Sequence, residues 1–281
     1  MERKSSLDRR TFLTGASASL AVAGLSSVAK PAVSDARTLS VAAIGHTGRG
    51  NFGHGLDTVW LHNPDTRVVA AADPDAAGLA KELKKLKIDR GFADYRKMLA
   101  DVKPDIVAVC PRHADQHRDM VVACAEAGVK GVYIEKPFCR TPAESDQIKA
   151  ACDKHKVKLA VAHRNRYHPT LKVIDRLIEH GGIGRLLEIR GRGKGDRRGG
   201  AEDLWVLGTH VLNLMAYFGG DPTSCSGVML RDGRRINRHD VNDGAEGLGP
   251  MGGNELHARY EFSRGVVGYF DSVANDGTKN A

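Results

Sequence analysis

From position 37 onward, short apolar runs alternate with stretches whose apolar residues recur at helical spacing. The runs are Leu39 to Ile44, Arg67 to Ala72, Asp105 to Cys110, Gly131 to Ile134 and Lys158 to Ala162. Residues 50–61, 75–86, 115–128 and 142–155 carry the amphipathic pattern between them. Strands that alternate with helices at this interval join through parallel crossovers, so the pattern predicts a doubly wound α/β sheet.

After about residue 165 the pattern changes. Leu171, Ile174, Leu177 and Ile178 mark a helix that stops at Gly181-Gly182, and Leu186 to Arg192 reads as a strand. A further helix, with Leu204, Leu207, Val211, Leu214 and Phe218 on one stripe, ends at Gly219-Gly220. Strands at Gly227 to Leu230, Leu256 to Phe262 and Val266 to Phe270, with glycine-rich turns between them, fit an antiparallel sheet.

Residues 1–36 follow neither pattern. Arg9-Arg10 precede Thr11-Phe12-Leu13 and an uncharged stretch to Ala29, then Lys30 and the small residues Ala32 to Ala36. This resembles a twin-arginine export signal, with Asp8 where that motif usually has Ser or Thr and cleavage expected after Ala36. The stretch holds eight Gly, Ser or Thr residues among 19, too weakly apolar for a membrane span of about 20 residues. The resemblance implies passage through the twin-arginine machinery and a periplasmic or otherwise exported protein, folded and able to take up a cofactor before export.

Composition narrows the classes further. A length of 281 residues with 32 glycines and 5% aromatics suits a large core with many tight turns. The formal charge of +8 includes +2 in residues 1–36, and the remainder is mildly basic. Residues 190–200 look like an arginine-glycine RNA-binding segment, but they lack interleaved aromatics for base stacking, so no nucleic-acid partner is expected. They read better as a loop over the site, where Arg197 and Arg198 would bind a carboxylated or phosphorylated sugar. The five cysteines are odd in number and show no C-x-x-C spacing, which indicates neither a disulfide framework nor a metal site.

The first predicted strand runs into Gly45-His46-Thr47-Gly48-Arg49-Gly50. A dinucleotide fold places its phosphate loop at this point, before a helix N-terminus. In the register set by the strand end, the G-x-G-x-x-G positions fall on Gly45, Thr47 and Gly50, and Gly48 takes over the close backbone approach that Thr47 cannot give. Asp73 ends the next strand, where a carboxylate accepts from both adenosine ribose hydroxyls, favouring NAD over NADP. The expected fold class is therefore α/β: an N-terminal Rossmann dinucleotide-binding domain over residues 37–165, then an α+β domain over 166–281 with an open, mainly antiparallel sheet.

Glu135-Lys136-Pro137 at the end of the Gly131 run, together with this loop, resembles the glucose-fructose oxidoreductase, inositol dehydrogenase and rhizopine-catabolism (Gfo/Idh/MocA) family. Further matches are Ala162 to Pro169, including Arg166 and Tyr167; Ile183-Gly184; and Gly208-Thr209-His210. The resemblance covers Leu39 to about Phe270. It implies hydride transfer between NAD and a secondary hydroxyl of a sugar, cyclitol or related polyol. Lys136 would lie between nicotinamide and substrate, Glu135 would shape the strand end, His210 would be acid-base, and Arg166 and Tyr167 would be near substrate. A base with a pKa near neutrality must touch the hydroxyl as hydride leaves, and a desolvated lysine or a histidine meets that need.

Two departures from the family pattern stand out. The family has an Asp four residues before its histidine, and here that position is Val206; Asp203 is too far along the helix, leaving Asn213 to orient the His210 ring. The family's Pro-Asn-x-x-His segment reads Pro111-Arg112-His113-Ala114-Asp115-Gln116-His117, so only Pro111 is expected on the nicotinamide side, with His113 and His117 at a solvated helix start. Two alternatives stay open: an NAD-using glycosidase that acts by transient oxidation and elimination, and a nucleotide-retaining protein without turnover. The family also implies a homo-oligomer through the second-domain sheet. Its members continue for tens of residues beyond this chain's last strand, so that sheet is expected to be incomplete.

Overall fold

The computed structural model describes residues 38–277, and the export-signal resemblance lies outside the described residues. Six strands form the first sheet: β1 (Leu39–Ile44), β2 (Thr66–Ala72), β3 (Gly91–Phe92), β4 (Ile106–Val109), β5 (Gly131–Ile134) and β6 (Lys158–Val161). Their order is β3-β2-β1-β4-β5-β6, with every pairing parallel. The strand order reverses between β1 and β4, and ligands of open α/β sheets bind at the carboxyl ends beside such a reversal.

Burial explains why these runs are strands. Val41, Val107, Val109 and Ile134 are fully buried, and the sheet is packed on both faces. On one face α2 (Tyr95–Val102), α3 (His117–Glu126) and α4 (Pro142–His155) bring Met98, Val121, Cys124 and Ile148 onto it. On the other, α1 (Ala76–Leu86) contributes Leu86. Start and stop signals set the helix limits. Asp75, Asp94 and Thr141 cap the N-termini of α1, α2 and α4, and Lys87, Lys103 and Lys156 end them in the left-handed conformation.

The helix predicted over 50–61 does not form. Turns fill the segment, followed by one 3₁₀ turn at Val59–His62. Gly48, Gly50, Asn51, Gly53 and Gly55 all have positive φ, which breaks the ladder before it can propagate. The apolar side chains still pack, because Phe52 and Leu56 are buried against the sheet. The buried Asp57 and Glu82 share Lys85 and so moor this segment to α1; burial and Asp57 push Glu82 up to about 7.

The second sheet contains β7 (Glu188–Arg192), β8 (Pro222–Arg231), β9 (Arg234–Arg235), β12 (Glu255–Phe262) and β13 (Val267–Val273), in the order β7-β13-β12-β8-β9. It is antiparallel except where β13 runs parallel to β7. α5 (Leu171–Glu179) precedes it. α6 (Ala201–Asp203) continues through a π turn at Leu204–Gly208 into α7 (Thr209–Gly219), which lays Val211 and Met215 against Phe262 and Phe270. A separate hairpin, β10 (Val241–Gly244) with β11 (Gly249–Gly252), reaches back to the first sheet. There Ala114 N donates to the Glu246 carbonyl at 3.1 Å, and Arg112 pairs with the Glu246 carboxylate at 3.7 Å.

Candidate active site

The loop after β1 folds back on itself beside the β1/β4 reversal. Gly45 lies against the Phe52 ring, and a Cβ on Gly50 would come 2.3 Å from Arg112 N. Thr47 points across to the end of β2. Asp73, fully buried, accepts from Thr47 N (3.1 and 2.9 Å to its two oxygens), from Thr47 Oγ1 (2.8 Å) and from Asp75 N (2.9 Å). The sequence places a ribose on this carboxylate; in the structure its acceptor positions are filled by the loop. A cavity of about 220 Å³ adjoins it, lined by Gly45, His46, Asp73, Pro74, Tyr95, Gln116 and Met120 among others.

A second cavity, also about 220 Å³, opens beyond the end of β5. His54, Glu135, Lys136, Arg164, Asn165, Lys194, Val206 and His210 line it with apolar neighbours such as Tyr133 and Leu207. Strand β5 positions Glu135 and Lys136, and the Lys136-Pro137 peptide is cis. Glu135 turns toward the β1 loop: Oε1 accepts from Lys136 N at 3.0 Å, and Oε2 lies 3.3 Å from His54 N and 3.2 Å from His54 Nδ1.

Lys136 is buried, and its Nζ donates to the Val206 carbonyl at 2.9 Å. Where the resemblance puts a carboxylate, the chain thus offers a backbone oxygen from the π turn. Burial lowers the Lys136 pKa from the ordinary lysine value; Glu135 and Glu246 oppose that shift, and Lys194 and Arg112 reinforce it.

The first residues of α7 carry His210. Its ring meets that of His163 edge to face at 5.5 Å. Nδ1 is buried without a partner among the described residues. Burial, then the charge of Lys136 and the neighbours His163, Arg164 and His54, pull His210 down to about 4.

Several sequence expectations land elsewhere. Asn213 does not orient the His210 ring: its Oδ1 is buried and unpartnered among the described residues, while its carbonyl accepts from Arg166 at 3.4 Å. Arg166 lies over the Tyr217 ring, and Tyr167 is 77% exposed, so neither lines the cavity. Arg197 and Arg198 border a separate cleft with Arg231 and Asn242, and Arg198 is bound by Asp196. Asp203 is fully buried and accepts from Ser272 Oγ (2.8 Å) and Lys194 N (2.9 Å). His117 is fully buried rather than solvated; its ring nitrogens lie 2.7 Å from the Pro111 carbonyl and 3.2 Å from the Phe138 carbonyl, so Pro111 braces a helix start and does not line the cavity. All five cysteines are free thiols.

Residues 39–163 match the model of the Gfo/Idh/MocA oxidoreductases, a family with an NAD-binding Rossmann fold. The match spans the whole of the first sheet. Levoglucosan dehydrogenase of Pseudarthrobacter phenanthrenivorans is 27% identical over 244 residues, covering 77% of this chain and 61% of the relative. D-Apiose dehydrogenase of Paraburkholderia graminis is 28% identical over 207 residues, covering 69% and 54%. The chain therefore spans little more than half the length of these curated relatives. A levoglucosan dehydrogenase solved with NADH and levoglucosan superposes with a TM-score of 0.67 at 23% identity, over 86% of this chain and 68% of that one. The WlbA dehydrogenase of Bordetella pertussis, solved with NADH and UDP-GlcNAcA, gives 0.66 at 20% identity, over 84% and 71%. At this identity the likeness is one of fold, and it extends through the second sheet.

Sequence reasoning missed four polar residues of the cavity beyond β5. His54 enters because the expected helix is replaced by turns, which no local signal beyond the glycine density announced. Arg164 and Asn165 lie in the Ala162 to Pro169 motif, one or two residues before the pair singled out from it. Lys194 belongs to the basic loop, and the available signal was its position next to the strand end; charge density pointed instead to Arg197 and Arg198.

Proposed function

We propose that the chain is an exported NAD-dependent oxidoreductase that moves hydride between nicotinamide and a secondary hydroxyl of a sugar, cyclitol or related polyol. The convergence of Lys136 and His210 in one cavity at the carboxyl end of an NAD-binding sheet carries this reading. The loop fits a dinucleotide. Arg49 Nε, Arg112 Nε and Gln116 Nε2 are buried donors without acceptors among the described residues, all beside the β1 loop, and a polyanion supplies acceptors. The loop glycines, Arg49 and Arg112 would hold the phosphates, and the adenosine would lie in the cavity beside Asp73, whose carboxylate is engaged by Thr47 and Asp75.

When bound, the nicotinamide would supply the hydride acceptor. His210 is neutral around pH 7 and would accept the hydroxyl proton at a ring nitrogen. Lys136 Nζ, tethered to the Val206 carbonyl, donates a hydrogen bond to the oxygen as negative charge grows on it. Tyr133 and Leu207 keep part of the wall apolar, which strengthens both contacts. Export by the twin-arginine route and self-association through the second sheet are proposed with this reading; fractionation and sedimentation of the full chain test them. The function is tested by mixing the full chain with NAD and a panel of polyols and following reduced nicotinamide. Bound NAD with no reduction by any member would overturn it.

A further inference from the structure

We infer that the substrate of the Lys136–His210 cavity is anionic, a polyhydroxylated skeleton bearing a carboxylate or phosphoryl group held by Lys194 and Arg164; this rests on the oxidoreductase reading. The cavity wall carries His54, Lys136, Arg164, Lys194 and His210 against one acid, Glu135. That acid is already used: its two oxygens serve Lys136 N and His54. Lys136 Nζ is tethered to the Val206 carbonyl and committed to the reacting oxygen. Lys194 and Arg164 remain, and among the described residues neither has a carboxylate within ion-pair distance.

Their immediate neighbours show that this is a local choice. At the end of β7 Arg192 pairs with Asp276, and on the loop that follows Arg198 pairs with Asp196, while Lys194 between them turns into the cavity. Two residues beyond Arg164, Arg166 is placed over the Tyr217 ring. Lys194 is also held in position: its N–H donates to Asp203, a fully buried carboxylate tied to Ser272. A half-buried lysine on a braced backbone, facing a cavity whose one acid among the described residues is already engaged, is a site for an anion that arrives with the ligand. The cationic field reaches the reacting groups, since Lys194 helps to lower Lys136 and Arg164 helps to lower His210. A neutral polyol leaves that repulsion in place; an anion relieves it.

The test is calorimetric titration of the full chain in the presence of NADH, which requires no turnover, with D-glucose, D-glucuronate and D-glucose 6-phosphate. At least one charged ligand should bind about tenfold or more tightly than glucose, as expected for one charge-assisted hydrogen bond, and the advantage should shrink with added salt. Glucuronate alone gaining assigns a carboxylate, and the phosphate ester alone gaining assigns a phosphoryl group. Lys194→Gln should weaken the charged ligand about tenfold more than it weakens glucose, while Lys194→Arg should keep most of the advantage. No preference for either charged ligand, or equal losses for glucose and glucuronate in Lys194→Gln, would overturn the inference, as would a loss of NADH affinity in that variant. Failure of the unaltered chain to bind NADH would instead overturn the oxidoreductase reading, so the two failures are distinct.

Discussion

Gly78 and Thr47 form a pair whose coupling can be worked out from the structure. A Cβ on Gly78, in the first turn of α1, would lie 1.9 Å from Thr47 Oγ1 and 2.8 Å from Thr47 Cβ. Gly78→Ala must therefore push the threonine off Asp73 and break the 2.8 Å hydroxyl–carboxylate bond. Such a bond contributes about 1.5–3 kcal/mol, against a helix-propensity gain of about 1 kcal/mol for Ala over Gly. The single variant should lose about 0.5–2 kcal/mol. Thr47→Gly loses the same bond but empties the space, leaving Asp75 Oδ1 at 3.2 Å as the nearest remaining neighbour. In that background Gly78→Ala should stabilise by roughly its propensity gain, so the double-mutant cycle should show about 2 kcal/mol of coupling, well above the ~0.5 kcal/mol of independent sites. Urea denaturation of the full chain without nucleotide measures all four corners. Thr47→Gly also removes one of the two donors on Asp73 Oδ2, so NAD should bind about tenfold more tightly if ribose gains one bond of about 1.4 kcal/mol there. An additive cycle, or a Gly78→Ala chain stabilised while Thr47 is intact, would refute the seating of Thr47 on Asp73.

Lys136→Met should fold and bind NAD yet lose about 10²–10³ in kcat/KM, the usual loss for one donor at a developing oxyanion; retention of more than about a tenth of the activity would remove the lysine from the chemistry. The kcat/KM profile should rise with pH as His210 loses its proton near 4, stay flat through neutrality, and fall on the alkaline side below the ordinary lysine value as Lys136 deprotonates. An acid limb at the ordinary histidine value of 6.5 would contradict it. Asp105 is depressed chiefly by its Lys130 and Ser40 hydrogen bonds, so its stabilisation is complete above 3.8 and drains as pH falls below that. Asp105→Asn should flatten that part of the thermal stability curve between about pH 5 and 2. Arg198→Ala should leave polyol turnover unchanged, because Asp196 holds that guanidinium beside a different cleft.

The first sheet was legible because its strands are apolar on both faces and its helices carry explicit caps. β1 and β5 have the predicted limits, and α4 begins at Pro142 after Thr141, where capping chemistry puts it. The short β3 and α2 were not anticipated: two residues of strand carry no period, and α2 buries only Met98 and Leu99. The helix at 50–61 failed for the opposite reason. Its apolar period was real and Phe52 and Leu56 use it, but the glycine backbone decided the conformation. At the site, the Glu-Lys-Pro strand end and the helix bearing His210 were readable as motifs. Contacts between distant segments were not, such as Val206 carbonyl to Lys136, Lys194 N to Asp203, and Thr47 to Asp73, because they depend on how loops close in three dimensions.

The β10–β11 hairpin sets a condition on chimeras. Because Glu246 meets both Arg112 and Ala114, a substrate module grafted onto this nucleotide half from another protein must bring a tongue of matching reach and an acid at its tip. Without one, a side chain and a backbone amide beside the coenzyme loop would be stranded, and a recombined enzyme of otherwise well-packed parts would lose its grip at the seam.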